Sequence, residues 1–152
     1  MPADPSRLLA HLHALEGERH ALSSPAQLAA AQRYVADQLA ASGWPITLHA
    51  FEHEGRRFEN VLARSVSEDA RRLIVAAHFD SVQGSAGADD NASGVAAMLE
   101  IARVIGEERP TAAVEFVGFN LEEWGMLGSR AYAADLKRRI HRAPDLDRVD
   151  AQ

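Results

Sequence analysis

Three short stretches of this 152-residue chain carry residues whose types and spacing could do chemistry. They are His78-Phe79-Asp80-Ser81, Ala88-Asp89-Asp90-Asn91 and Asn120-Leu121-Glu122-Glu123-Trp124. Imidazole nitrogen and carboxylate oxygen are ligands suited to zinc, and the first two stretches supply both within one passage of chain. They read as half of a metal centre. The Glu122-Glu123 pair adds something different. Adjacent side chains diverge on a strand and on a helix, so neighbouring carboxylates converge only at an irregular turn. There, one carboxylate can bind a metal while the other, just outside it, accepts a proton from metal-activated water.

Such a set works only if the chain brings it to one place. The apolar run from Leu73 to Ala77 stops at His78, and a Gly/Ser loop follows before Asp89, Asp90 and Asn91 open a new apolar segment. There Val95, Met98, Leu99, Ala102 and Ile105 recur at intervals of three and four, which predicts a helix ended by Gly106 and Pro110. Ala113 to Phe119 is a second β-prone run, and it ends at the glutamate pair. Strand, helix and strand in that order form a parallel crossover, so both chemical clusters fall at the same C-terminal sheet edge. That edge is where open α/β sheets place their sites. The uninterrupted apolar character of Leu73 to Ala77 predicts a strand covered on both faces.

The rest of the chain reads as support. Leu8, Leu9, Leu12 and Leu15 predict a short helix over Pro5 to Glu16, with proline in its first turn. Ser24-Pro25 reads as a helix start, and Leu28, Ala31, Val35 and Leu39 share one face until Ser42-Gly43. After Pro45 the period becomes two, with Ile46, Leu48 and Ala50 alternating with Thr47 and His49. A second run, Phe58 to Ala63, lies beyond Glu54-Gly55 and predicts a hairpin. Gly128-Ser129 opens a last helix through Ala131, Tyr132 and Leu136. His11, His13 and His20 lack a carboxylate at ligand spacing, and His49 and His53 fall on the polar side of their strand. All five read as surface or satisfied core residues.

Composition bounds these readings. With 47% hydrophobic and 25% charged residues, this is a globular chain of about one domain with a real core. A net charge of -6 excludes a general nucleic-acid binder, since no basic stripe is available to displace counterions. The basic cluster from Lys137 to Arg142 reads as the solvated end of a helix. With no cysteine, disulfides, thiolate ligands and cysteine nucleophiles all fall away. No G-x-S-x-G elbow or G-x-x-x-x-G-K loop occurs, which removes serine-hydrolase and P-loop readings. No apolar run approaches the ~20 residues of a membrane span, and the first residues lack the order of a signal peptide. The expectation is a cytoplasmic chain, or one supplied without its leader, with no membrane partner.

Taken together and in order, HFDS, GADDNASGVA and NLEEWGMLGSRAY resemble the signature of the co-catalytic dizinc exopeptidases. That family includes bacterial leucyl aminopeptidases and plasma glutamate carboxypeptidases, with metal-dependent glutaminyl cyclases as relatives. The resemblance runs from about Arg19 to about Leu136. It implies an α/β fold: a three-layer αβα sandwich with a mixed, largely parallel sheet, incomplete at its C-terminal side. Residues 1–44 would be a helical lead-in, 45–136 the sheet and helices carrying the motifs, and 137–152 a polar tail of the same domain. By the same resemblance His78 is a ligand of one zinc, Asp90 bridges two, and Glu123 is a ligand of the other. Glu122 is the general base or acid, and Asp80 is the carboxylate that orients the His78 ring. The Asp90-Asn91 bond is expected to be cis, with Asp89 and Asn91 supporting the loop and Ser93 and Gly94 starting the helix. The implied activity is removal of an N-terminal residue from a peptide or aminoacyl substrate.

The chain also departs from that pattern. The resemblance implies a domain about twice this length, with two further ligands: an aspartate on a following strand and a histidine near the far end. Asp147 stands at the aspartate position, although Pro144, Asp145, Arg148 and Asp150 interrupt the apolar run of a buried strand. His141 lies on the preceding helix. Each zinc would keep two protein ligands where catalytic sites use three plus water. The sheet would have an open edge, inviting self-association or completion by a second polypeptide. A catalytically incomplete homologue and a non-catalytic binding module are therefore the alternatives to the enzyme.

Overall fold

The computed structural model describes residues 2–65, 72–108 and 112–142. Two helices, α1 (Pro5–Leu15) and α2 (Pro25–Ala41), precede a hairpin of β1 (Ile46–His53) and β2 (Arg56–Arg64). Then come β3 (Arg72–His78), α3 (Gly94–Glu108), β4 (Ala113–Phe119) and α4 (Leu127–Arg142). The sheet order is β1-β2-β4-β3, with β1, β2 and β4 antiparallel in sequence and β3 parallel to β4. The result is the mixed α/β sheet expected, and the β3-α3-β4 crossover is the element that positions the site.

Local chemistry explains the elements. Asp4 caps α1 by accepting the Ser6 N–H at 2.9 Å, and Pro5 fits the first turn because its missing N–H is not needed there. In α2 the buried residues are Leu28, Ala31, Val35 and Leu39, the stripe read from the sequence. Ser24 does not cap it. Its hydroxyl accepts the His20 N–H at 2.7 Å instead, tying the helix start back to the preceding segment. Glu54 and Gly55 both have positive φ, 49° and 72°, as a tight hairpin turn of this hand requires.

The core lies on two sides of the sheet. Val61, Ala63, Val114 and Phe116 face α1, α2 and α3, whereas Leu62 and Val117 pack with Tyr132 of α4 on the other side. Strand β4 is therefore the strand covered on both faces.

Three expectations are corrected. The run Leu73 to Ala77 is not covered on both faces: β3 is the edge strand, with Leu73 61% and Ile74 38% exposed. Among the described residues only β4 pairs with it, and its far edge has no strand beside it. In β1 the apolar side is not the buried one, since Leu48 is 47% and His49 only 7% exposed. His49 is satisfied by Asp135 of α4 at 2.8 Å and by Asn60 at 3.1 Å, a partner 86 residues away that spacing could not reveal. Gly106 does not end α3. It lies inside the helix, and a Cβ there would come within 2.5 Å of the Ser42 carbonyl, so the glycine permits close packing against the end of α2.

Candidate metal centre

The site forms where β3 and β4 end side by side. Their parallel register pairs His78 with Phe119, so the residues that follow each strand enter the same space. Phe79 N–H continues the ladder to the Phe119 carbonyl at 3.0 Å, after which the chains separate. Asp80 then turns inward and is 2% exposed.

Asp80 holds the glutamate turn. Its two oxygens accept consecutive backbone N–H groups, Glu122 at 3.0 Å and Glu123 at 3.1 Å. Successive N–H groups pointing at one anion form a concave nest, and the carboxylate fills it. The turn is irregular in the way that convergence of neighbouring carboxylates demands, with positive φ at Leu121 (54°), Gly125 (93°) and Met126 (60°). A second anchor is Asn60 of β2, fully buried, whose Oδ1 accepts the Asn120 N–H at 2.9 Å and whose Nδ2 donates to Gly128 at 2.9 Å. Gly128 has no room for a side chain there, because a Cβ would lie 2.3 Å from that Oδ1. Asn60 carries no signal in the sequence beyond being a polar residue at the head of the apolar run Val61 to Ala63.

Around this frame the ligand-type atoms gather. His78 Nε2 is 3.0 Å from Asp90 Oδ1 and 3.9 Å from Glu122 Oε2. One donor atom each from His78, Glu122 and Glu123 fall within 4.8 Å of one another. Asp90 lies outside that group of three but reaches the His78 ring, with its side chain 75% exposed. The loop that delivers it is bent at Asp90 and Asn91, both outside helical geometry, and the Asp90-Asn91 bond is cis as expected. Asn91 Oδ1 accepts the Gly94 N–H at 3.1 Å, and Ser93 Oγ donates to the Asp89 carbonyl at 2.7 Å, which starts α3. Asp147 lies outside the described residues, as does the side chain of His141.

The electrostatics favour a cation. Asp80, Asp90, Glu122 and Glu123 share one imidazole. Burial pulls the His78 pKa down, but its contact with Asp80 and the charges of Asp80, Glu122 and Asp90 outweigh that and raise it. Burial first, and then the Asp90 charge, push Glu123 above the ordinary carboxylate value against a smaller pull from His78. The fit to zinc can be read from the imidazole itself. Its Nδ1 is buried, lies 3.4 Å from Asp80 Oδ1, and lacks the alignment of a hydrogen bond. Nδ1 thus faces the orienting carboxylate, and Nε2 faces the other acids, the usual division for a metal-bound histidine.

The sequence model of peptidase family M28 matches residues 60–152, a span that contains all three motifs. This chain belongs to peptidase family M28. Proteins similar in sequence include leupeptin-inactivating enzyme 1 of Streptomyces exfoliatus, 36% identical over 106 residues, 68% of this chain and 24% of that protein. Aminopeptidase YwaD of Bacillus subtilis is 45% identical over 67 residues, 44% of this chain and 15% of that one. Among solved structures, a candidate Zn-dependent exopeptidase of Bacteroides vulgatus superposes with a TM-score of 0.68 and 26% identity, over 88% of this chain and 54% of that one. The chain spans less than two fifths of the length of the curated relatives it matches. Among the described residues, no helix is long and apolar enough to cross a membrane.

Proposed function

We propose that this chain carries the metal-binding part of a zinc-dependent exopeptidase of aminopeptidase type. The observation that supports it best is the gathering of His78, Glu122 and Glu123 at one sheet edge, with Asp90 Oδ1 3.0 Å from His78 Nε2. His78, Asp90 and Glu123 would hold the metal, with Asp90 shared between two ions. Bound zinc polarises a substrate carbonyl and lowers the pKa of water. Glu122 accepts the proton of the attacking water at its carboxylate and returns it to the leaving amine. Asp80 keeps the His78 ring turned and, through its two N–H contacts, sets where Glu122 and Glu123 point.

The experiment is a zinc titration followed by hydrolysis of an aminoacyl anilide. Two tightly bound metals, with turnover lost in Glu122→Gln and zinc retained, support the enzyme. No turnover at saturating zinc contradicts it for this chain alone. A second reading, that further polypeptide completes the site, is favoured by the edge of β3, which among the described residues has no strand beside it. Under it the isolated chain binds zinc weakly and gains affinity when a partner strand is supplied.

A further inference from the structure

The segment joining α1 to α2, Glu16 to Ser24, touches both halves of the candidate centre. Arg19 is 3% exposed, and its guanidinium donates to five backbone carbonyls. Leu15 is the last residue of α1, and Gly17, at 2.6 Å, belongs to Arg19's own segment. Phe79 (2.7 Å), Ala86 (3.2 Å) and Gly87 (2.9 Å) belong to the loop between β3 and Asp90. The backbone doubles the link: Arg19 N–H donates to Ser81 Oγ at 2.9 Å, and Ser81 N–H returns to the Arg19 carbonyl at 3.2 Å. Gly87 makes the room, since a Cβ there would sit 2.5 Å from Arg19 Nη2. A lysine carries the same charge but offers three donors from one point, too few and too close together for carbonyls on both strands of this clamp.

The next residue reaches the other half. Trp124, directly after Glu123, donates its indole N–H to His20 Nε2 at 3.2 Å, with the two rings 5.4 Å apart. Ser23 Oγ lies 3.0 Å from His20 Nδ1, toward which the Leu22 and Ser23 backbone N–H groups also point at 3.4 and 3.3 Å, and gives its own proton to Glu18. Glu18 also accepts the Gly84 N–H at 2.8 Å, joining this chain of bonds to the first loop.

We infer that Arg19 and His20 are the positioning residues of the His78, Asp80, Asp90, Glu122 and Glu123 constellation. Arg19 sets the loop that bears Asp80 and leads to Asp90, and His20 sets the glutamate turn through Trp124. The chemical meaning rests on the zinc reading above, but the test does not.

Amide hydrogen exchange on the metal-free wild type, Arg19→Lys, His20→Phe and His20→Gln supplies that test. Exchange should rise by about tenfold or more over 79–94 in Arg19→Lys and over 120–126 in His20→Phe, while α2 and the β1–β2 hairpin keep their wild-type rates. His20→Gln, whose side-chain carbonyl can accept the indole N–H, should restore the turn. Zinc affinity by chelator competition should fall about 10- to 100-fold in the first two variants and recover in the third. If Arg19→Lys does not fold, Ser81→Ala, which removes the acceptor for the Arg19 amide together with a 3.4 Å bond to the Val82 carbonyl, replaces it with the same expected direction. Unchanged exchange in either segment, or an equal rise across α2 and the hairpin, overturns the inference. A wild type that takes up no zinc overturns the functional reading and leaves the exchange data to decide this one.

Discussion

Asp80 accepts the Glu123 backbone N–H at 3.1 Å while its other oxygen faces the His78 ring at 3.4 Å. One buried carboxylate therefore fixes two candidate ligands from different strands, one by its backbone and one by its side chain. The relationship makes Asp80 the joint between the first and third motifs.

Asp80→Ala should accordingly do more than free a histidine. Two part-buried N–H groups lose their acceptor, which costs about 1–3 kcal/mol in denaturant unfolding. Zinc affinity should drop about 10- to 100-fold. Asp80→Asn, which keeps one acceptor oxygen, should fall between the wild type and Asp80→Ala in both measurements.

Glu122→Gln separates binding from chemistry. Its side chain is 36% exposed and its backbone, not its carboxylate, makes the structural contact to Asp80. The substitution should leave thermal stability near wild type and lower the rate of aminoacyl-anilide hydrolysis about 10²- to 10⁴-fold. Equal losses in stability and rate would assign Glu122 a structural role.

The pH dependence of stability should show Glu100. Buried on α3, it accepts from Arg103 at 2.7 and 2.9 Å and from the Asp4 N–H at 2.7 Å, with Arg7 at 3.4 Å. The Arg103 hydrogen bonds lead in holding its pKa at about 2, below the ordinary 4.5. The folded value is the lower one, so its stabilisation is fully present above about pH 4.5 and is lost as the pH falls through about 2. Glu100→Gln should be less stable at neutral pH and lose less on acidification over that window. Because Glu100 docks the start of α1, which leads into the Arg19 segment, acid should loosen that segment early.

How much of this was legible follows from distance along the chain. The α2 stripe, the β3-α3-β4 crossover and the glutamate turn are governed by nearby residues, and their periods and breaks could be read directly. The burial of His49 could not, because Asp135 and α4 decide it. Nor could the exposure of β3, since an apolar run reports what a strand could bury and not how many neighbours it has. His78, Asp80, Asp90, Glu122 and Glu123 were named from their motifs. Their convergence, and the double use of Asp80, depend on backbone N–H groups that leave no mark in side-chain letters. Arg19 was legible only as a charge and His20 as a lone histidine.

The open edge of β3 carries its own prediction. Leu73, Ile74 and Ala76 are exposed on a strand that, among the described residues, pairs on one side only, with no charge or proline from Leu73 to Ala77 to blunt it. Sedimentation should show concentration-dependent association of the chain, reduced in Leu73→Lys. A monodisperse monomer for the wild type would count against edge pairing.

The central claim is that imidazole and carboxylates from three separated motifs hold zinc together. X-ray absorption at the zinc edge of the zinc-loaded protein tests it most directly, with His78→Ala alongside. One imidazole nitrogen plus carboxylate and water oxygens is the expected shell, with the nitrogen lost in the variant. A shell without nitrogen, or one that His78→Ala leaves unchanged, would contradict it.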